Sequence, residues 1–115
     1  MKTRRRVRLA RGAPGARLVS RDSGREVQRV AVLGGDGRSY LRAALRQKAD
    51  LLITGDVDHH TALEARAQGI ALLDVGHWAC EACVSSILAE GLRSRLGDAV
   101  EVLPSEVDTQ PFLFV

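Results

Sequence analysis

Aromatic side chains are nearly absent: one Trp, one Tyr and two Phe stand among 115 residues, 3% of the chain. A hydrophobic core therefore has to be assembled from Ala, Val, Leu and Ile. Long apolar runs are missing as well. Leu51 to Ile53 and Ile70 to Leu73 fall far short of the roughly 20 apolar residues that a membrane-spanning helix requires, so no such span is expected. Cysteine occurs twice, at Cys80 and Cys83, which is too few and too close for the disulfide framework of a small secreted domain. A reducing cytoplasm is the simplest setting. Finally, no apolar stretch of roughly 7 to 15 residues follows Lys2-Thr3-Arg4-Arg5-Arg6, so neither a general secretory nor a twin-arginine signal is complete.

What is present fits one globular domain. The length allows a single core and is too short for two ordinary domains, and 45% hydrophobic with 27% charged residues is an ordinary globular balance. The net charge of +3 hides an asymmetry. Residues 1–29 carry ten Lys/Arg against two Asp/Glu, whereas residues 30–115 carry seven against twelve. The high pI of 9.4 thus belongs to the start of the chain. We expect a basic leader without fixed structure over residues 1–14 and an α/β domain over 15–115. Blocks of like charge are usually solvated; a weak nucleic-acid contact through phosphates and a transit-like role are the alternatives.

From residue 30 onward short apolar runs alternate with helical periodicity, the pattern of an α/β domain around a mixed, largely parallel sheet. Arg29 to Leu33 reads as a buried strand stopped by Gly34-Gly35-Asp36-Gly37, and a helix is expected over Ser39 to Lys48. Asp50 to Thr54 reads as the next strand and His59 to Gln68 as the next helix, with Asp56 or Asp58 as its cap and Gly69 as its stop. A third unit follows: strand Ile70 to Asp74, turn Val75-Gly76, helix from His77 or Trp78 to Leu96, Gly97 as cap, then a strand over Val100 to Leu103. Upstream, Ala16 to Ser20 and Glu26 to Leu33 flank Asp22-Ser23-Gly24 as a hairpin. Ligands of open α/β sheets bind beyond the carboxyl ends of the strands. The sequence puts GGDG, TGD and GH at three of those ends.

The chemistry-bearing residues cluster there. Gly35-Asp36-Gly37 after a strand suggests a dinucleotide fingerprint, but the third glycine is missing and Tyr40 stands in its place. A tight turn between strand and helix is the plainer reading. In Gly76-His77-Trp78-Ala79-Cys80-Glu81-Ala82-Cys83 three readings compete: a C-x-x-C redox or zinc pair, a His/Glu metal pair, and an ordinary helix start. At about 100° per residue, His77, Cys80 and Glu81 share a face roughly 100° wide while Cys83 points about 120° from His77. A structural zinc site also wants four ligands, and no second cysteine pair exists. Cys83, in line with Ile87, reads as a small core residue, whereas Cys80 near the helix start keeps a redox role open. His77 and Glu81, one helical turn apart, can converge on one cation; zinc, iron, manganese and nickel all suit imidazole plus carboxylate. Spacing alone does not separate this from a helix-start His beside a solvated Glu. His59-His60, in the neighbouring turn, offers one further ligand or two surface histidines.

These motifs together resemble a known family. A V-A-V strand with its glycine-rich turn, Thr54-Gly55-Asp56 to His60, Gly76-His77 to Glu81, and Ser105-Glu106-Val107-Asp108-Thr109-Gln110-Pro111-Phe112 occur in the order seen in the Nif-three-like dinuclear metal centre proteins, also called GTP cyclohydrolase 1 type 2 homologues. The resemblance covers residues 16 to 115 and corresponds to the C-terminal half of that fold. It implies that His77 and Glu81 are two metal ligands, that His60 and Asp56 lie close to the metal pocket, and that the protein self-associates, the family forming ring-shaped hexamers. It also implies a departure: the family's other ligands, a His-His pair and an Asp, belong to an N-terminal half not represented here. His59-His60 is not that pair. Cys80, where relatives often carry Thr, could add a thiolate.

The expected function is therefore divalent-metal binding through a partial site, as part of a metal-dependent hydrolase if another chain supplies the missing half. The rival is a non-catalytic structural or binding remnant with an incomplete site. Substrate is not readable from the sequence.

Overall fold

The protein is described by a computed structural model covering residues 15–21, 24 and 26–115; the basic leader expected over residues 1–14 lies outside the described residues. Four strands, β1 (Arg17–Val19), β2 (Val30–Asp36), β3 (Leu51–Gly55) and β4 (Ala71–Asp74), alternate with four helices, α1 (Leu41–Arg46), α2 (His59–Gln68), α3 (His77–Glu81) and α4 (Val84–Leu96). The sheet order is β1-β4-β3-β2. β2, β3 and β4 run parallel, with Val30 opposite Leu51 and Leu51 opposite Ala71, and β1 closes the far edge antiparallel to β4. This is the mixed, largely parallel sheet expected. No helix among the described residues is long and apolar enough to cross a membrane.

The helices stop where local chemistry says they should. Asp58 is the cap of α2, its carboxylate accepting the Thr61 N–H at 2.7 Å, and Gly69 ends the helix with φ +77°, a left-handed conformation that glycine adopts without a Cβ penalty. Leu52 and Leu72 from the central strands pack with Leu41 and Ala44 of α1 and Ala65 of α2 to form the aliphatic core. The opposite sheet face is less covered. A row crosses all four strands there through Val32, Ile53, Leu73 and Leu18, and its two ends are 72% and 57% exposed.

Four expectations are corrected. The hairpin around Asp22-Ser23-Gly24, two of whose residues lie outside the described set, does not form: β1 and β2 sit at opposite edges of the sheet, because β1 pairs with β4. Residues 100–103 are not a strand: they join none of the four strands of the sheet, and the Val102 carbonyl accepts instead from the Arg93 side chain at 2.7 Å. The single helix from His77 to Leu96 is broken at Ala82-Cys83 into α3 and α4. Cys83 is exposed rather than in the core, and Ile87 with it, at 62%, since no described element covers that side of α4.

Candidate metal centre

The carboxyl edge of the sheet is built around a defect in pairing. The β2–β3 register runs evenly from Val30 to Val32, then slips before Asp36 meets Gly55. Gly34 and Gly35 occupy the slip, and Gly35 takes φ +67°. A Cβ on Gly35 would lie 2.6 Å from Glu81 Oε1 and 3.1 Å from His77 Nε2. Only glycine lets the backbone approach the pair this closely. Thr54, fully buried, holds the turn from below by donating its hydroxyl to the Gly35 carbonyl at 3.2 Å.

The second turn supplies the acid. Asp56 follows β3 with φ +55°, a conformation that few non-glycine residues adopt, Asp and Asn among them. Its Oδ2 lies 2.6 Å from His77 Nδ1, while Glu81 Oε2 stands 3.3 Å from His77 Nε2. Each imidazole nitrogen thus faces a carboxylate, and a neutral ring that donates Nδ1–H to Asp56 would turn its Nε2 lone pair toward the Glu81 side. The Asp56 hydrogen bond raises the His77 pKa, partial desolvation opposes it, and the Glu81 charge adds to the rise.

Two further groups lock the turns together. Asp74, 5% exposed at the end of β4, accepts the Val57 N–H at 3.2 Å and the Gly76 N–H at 2.9 Å, and pairs with Arg17. One carboxylate thereby ties the turn before α2 to the turn before α3. Arg38 spans Asp36, at 2.7 and 2.9 Å, and Asp58, at 3.0 Å. Its hydrogen bonds hold the Asp36 carboxyl down at about 2, and the Thr61 backbone N–H and hydroxyl, with Arg38, do the same for Asp58.

Of the residues singled out from sequence, Asp56, His77 and Glu81 come together and His60 does not join them. His60 sits in the first turn of α2 with its ring 5.9 Å from that of His59, edge to face. Cys80 is half-buried, and burial, ahead of other causes, pushes its thiol up, away from the thiolate character that redox chemistry needs. Among the described residues no group of three or more His, Cys, Asp or Glu side chains is arranged to hold a metal ion.

His77 and Glu81 nevertheless supply two donors of the kinds a divalent cation takes, half of what a closed site needs. Imidazole nitrogen and carboxylate oxygen face one space, the one that a Cβ on Gly35 would fill. Asp56 is placed as the outer carboxylate that fixes a ligating histidine's tautomer. His77 Nε2 and Glu81 would hold the ion and Asp56 would orient His77.

Beside this pair opens a cavity of about 1240 Å³ between α3, the start of α4 and residues 104–114 of the tail. Trp78 Nε1 donates to Thr109 Oγ1 at 3.1 Å, which pins the tail as the far wall. Sequence reasoning named the Gly34 to Gly37 turn and the Thr54-Gly55-Asp56 motif without assigning Gly35 or Thr54 a role of its own, and it missed Asp74 and Arg38. Gly35 left its signal in a fingerprint that failed as a nucleotide motif and Thr54 in the T-G-D motif; Asp74 and Arg38 needed the strand register to be known.

Comparison with known proteins identifies relatives of the chain. A family model described as Duf34/NIF3 (NGG1p interacting factor 3) matches residues 3–111. A GTP cyclohydrolase 1 type 2 homolog of Halalkalibacterium halodurans is 36% identical over 118 aligned residues, 96% of this chain and 30% of that protein. Staphylococcus aureus protein SA1388 superposes with a TM-score of 0.74 at 30% identity, covering 90% of this chain and 34% of that one. A Bacillus cereus protein related to NIF3 gives 0.71 at 35% identity, covering 90% and 29%. The chain spans about 30% of the length of the Halalkalibacterium relative it matches.

Proposed function

The chain belongs to the Duf34/NIF3 family, and from that premise we propose that it contributes half of a divalent-metal site to a metal-dependent hydrolase. His77 and Glu81 are the ligands, Asp56 the positioning residue, and His60 a neighbour outside the ligand set. The observation that carries the reading is the 2.6 Å contact between Asp56 and His77 Nδ1, which leaves Nε2 directed to Glu81. Zinc, iron, manganese and nickel all suit this donor set. Such an ion, when bound, supplies Lewis acidity and an activated water for hydrolysis. The chain's own residues fix the ring through Asp56, direct Nε2 toward Glu81, and keep the Gly35 backbone close to the pair.

The remaining ligands have to come from another chain or from sequence outside this stretch. In support, parallel sheets are covered on both faces in α/β folds, yet Val32 and Leu18 lie bare here, as do Ile87 and Leu88 along α4, the latter 59% exposed. Self-association through these apolar surfaces, toward the hexamer implied by the family resemblance, is part of the proposal, as is a cytoplasmic setting for the two free cysteines. A non-catalytic binding or structural role is the second reading, favoured by the two-donor limit of the site. Metal content separates them. Near-stoichiometric metal in purified protein that disappears in His77→Ala and Glu81→Ala supports the hydrolase half-site; no metal above background in the wild type supports the remnant.

A further inference from the structure

The cavity beside the His77–Glu81 pair has a composition unlike the rest of the molecule. Three of the chain's four aromatic side chains, Trp78, Phe112 and Phe114, line it. Its charged lining is mostly acidic. Arg17 is the one Lys/Arg there and is matched by Asp74, while Asp56 is engaged by His77. Glu81 is engaged by His77 as well, and Glu106 and Asp108, from the tail, have no ion-pair partner among the described residues. The Trp78 ring is held in place from the same wall by its hydrogen bond to Thr109.

Aromatic faces attract weakly hydrated cations, and carboxylates nearby reinforce them. A small hard metal ion keeps its water and seeks oxygen ligands, so it has little use for the rings. An anion would face the field of Glu106 and Asp108. We infer that this cavity binds an organic cation, a ligand with an ammonium or guanidinium group that sits over Trp78 with Glu106 and Asp108 as counter-charges. His77 and Glu81 line the same cavity, but Trp78, Glu106 and Asp108, which recognise the cation, are not the two proposed metal ligands.

Trp78 is the only tryptophan, so its emission reports the site directly. The full chain is titrated with benzyltrimethylammonium, and in parallel with phenylacetate, at constant ionic strength. A saturable change is expected with the cation and none with the anion. The double variant E106Q/D108N, altered only on the exposed tail, should weaken the cation by about fivefold, the scale of losing exposed charge attraction, with an unchanged circular dichroism spectrum. Added EDTA should leave the cation response unchanged, since the cation is held without a metal ion. Equal responses to cation and anion, no saturable response, an unaltered E106Q/D108N affinity, or a cation response abolished by EDTA would each overturn the assignment.

Discussion

Gly35 and Glu81 stand so close that a methyl group has no room between them: a Cβ on Gly35 would lie 2.6 Å from Glu81 Oε1. With φ at +67°, Gly35→Ala meets both a steric and a conformational penalty, about 1–3 kcal/mol together. Gly91 is the control, since a Cβ there meets nothing and the residue lies within α4; Gly91→Ala should stabilise by about 0.5–1 kcal/mol. Urea midpoints of the two variants, moving in opposite directions from the wild type, check the prediction.

Thr54 supports the same turn from the buried side. Thr54→Val keeps the shape but removes the donor to the Gly35 carbonyl, leaving a buried acceptor unpaired at a cost of about 1–3 kcal/mol. Thr54→Ser retains the hydroxyl and should cost less. Equal losses for the two variants in denaturant unfolding would show that the hydrogen bond is not what holds the turn.

Asp56 should govern where His77 titrates. Because the Asp56 hydrogen bond is the foremost cause of the raised His77 pKa, Asp56→Asn should return that pKa toward its ordinary value, as read by NMR titration of the imidazole carbons. If the pair binds metal as proposed, the same change should weaken binding by about 10- to 100-fold at high pH. It should also move the pH midpoint of binding downward, because the proton then competes less well for Nε2.

Stability should fall away on both sides of neutrality for different reasons. Asp36 and Asp58 have folded pKa values of about 2, below their ordinary 3.8, so their contribution is present above the unfolded value and is lost as pH falls through the folded one. For His77 the shift is upward from 6.5, so its contact with Asp56 stabilises fully below pH 6.5 and is lost as pH rises through the folded value. Arg38→Ala should move the acid limb of a stability–pH curve to higher pH and leave the alkaline limb in place. Asp56→Asn should do the reverse, flattening the alkaline limb.

The helix α2 could be read from the sequence, from about His59 to Gln68 with Asp56 or Asp58 as its cap, because its cap, which is Asp58, and its stop at Gly69 are purely local chemistry. β3 and β4 were legible for a related reason: Leu51 to Thr54 and Ala71 to Asp74 are short aliphatic runs bounded by turn residues. The partner of β1 was not legible. A local turn at Asp22-Ser23-Gly24 pointed to a hairpin, whereas the Arg17–Asp74 pair and the antiparallel register with β4 are long-range choices that no local pattern encodes. Helical spacing brought His77 and Glu81 together, but it could not assign the two imidazole nitrogens, since that depends on Asp56 arriving from another turn. It also put Cys83 inside, where the exposed flank of α4 leaves it in solvent.

The central claim is that His77 Nε2 and Glu81 form one half of a metal site, with Asp56 on the other nitrogen. Long-range ¹H–¹⁵N NMR of the His side chains during titration with zinc, a diamagnetic ion that reports even weak binding, tests it most directly. The account predicts that neutral His77 is the Nδ1–H tautomer before metal is added, and that its Nε2 resonance shifts saturably with zinc while His59 and His60 do not. The shift should vanish in Glu81→Ala. A neutral His77 protonated at Nε2, or zinc that perturbs His59 and His60 and leaves His77 unchanged, would contradict it.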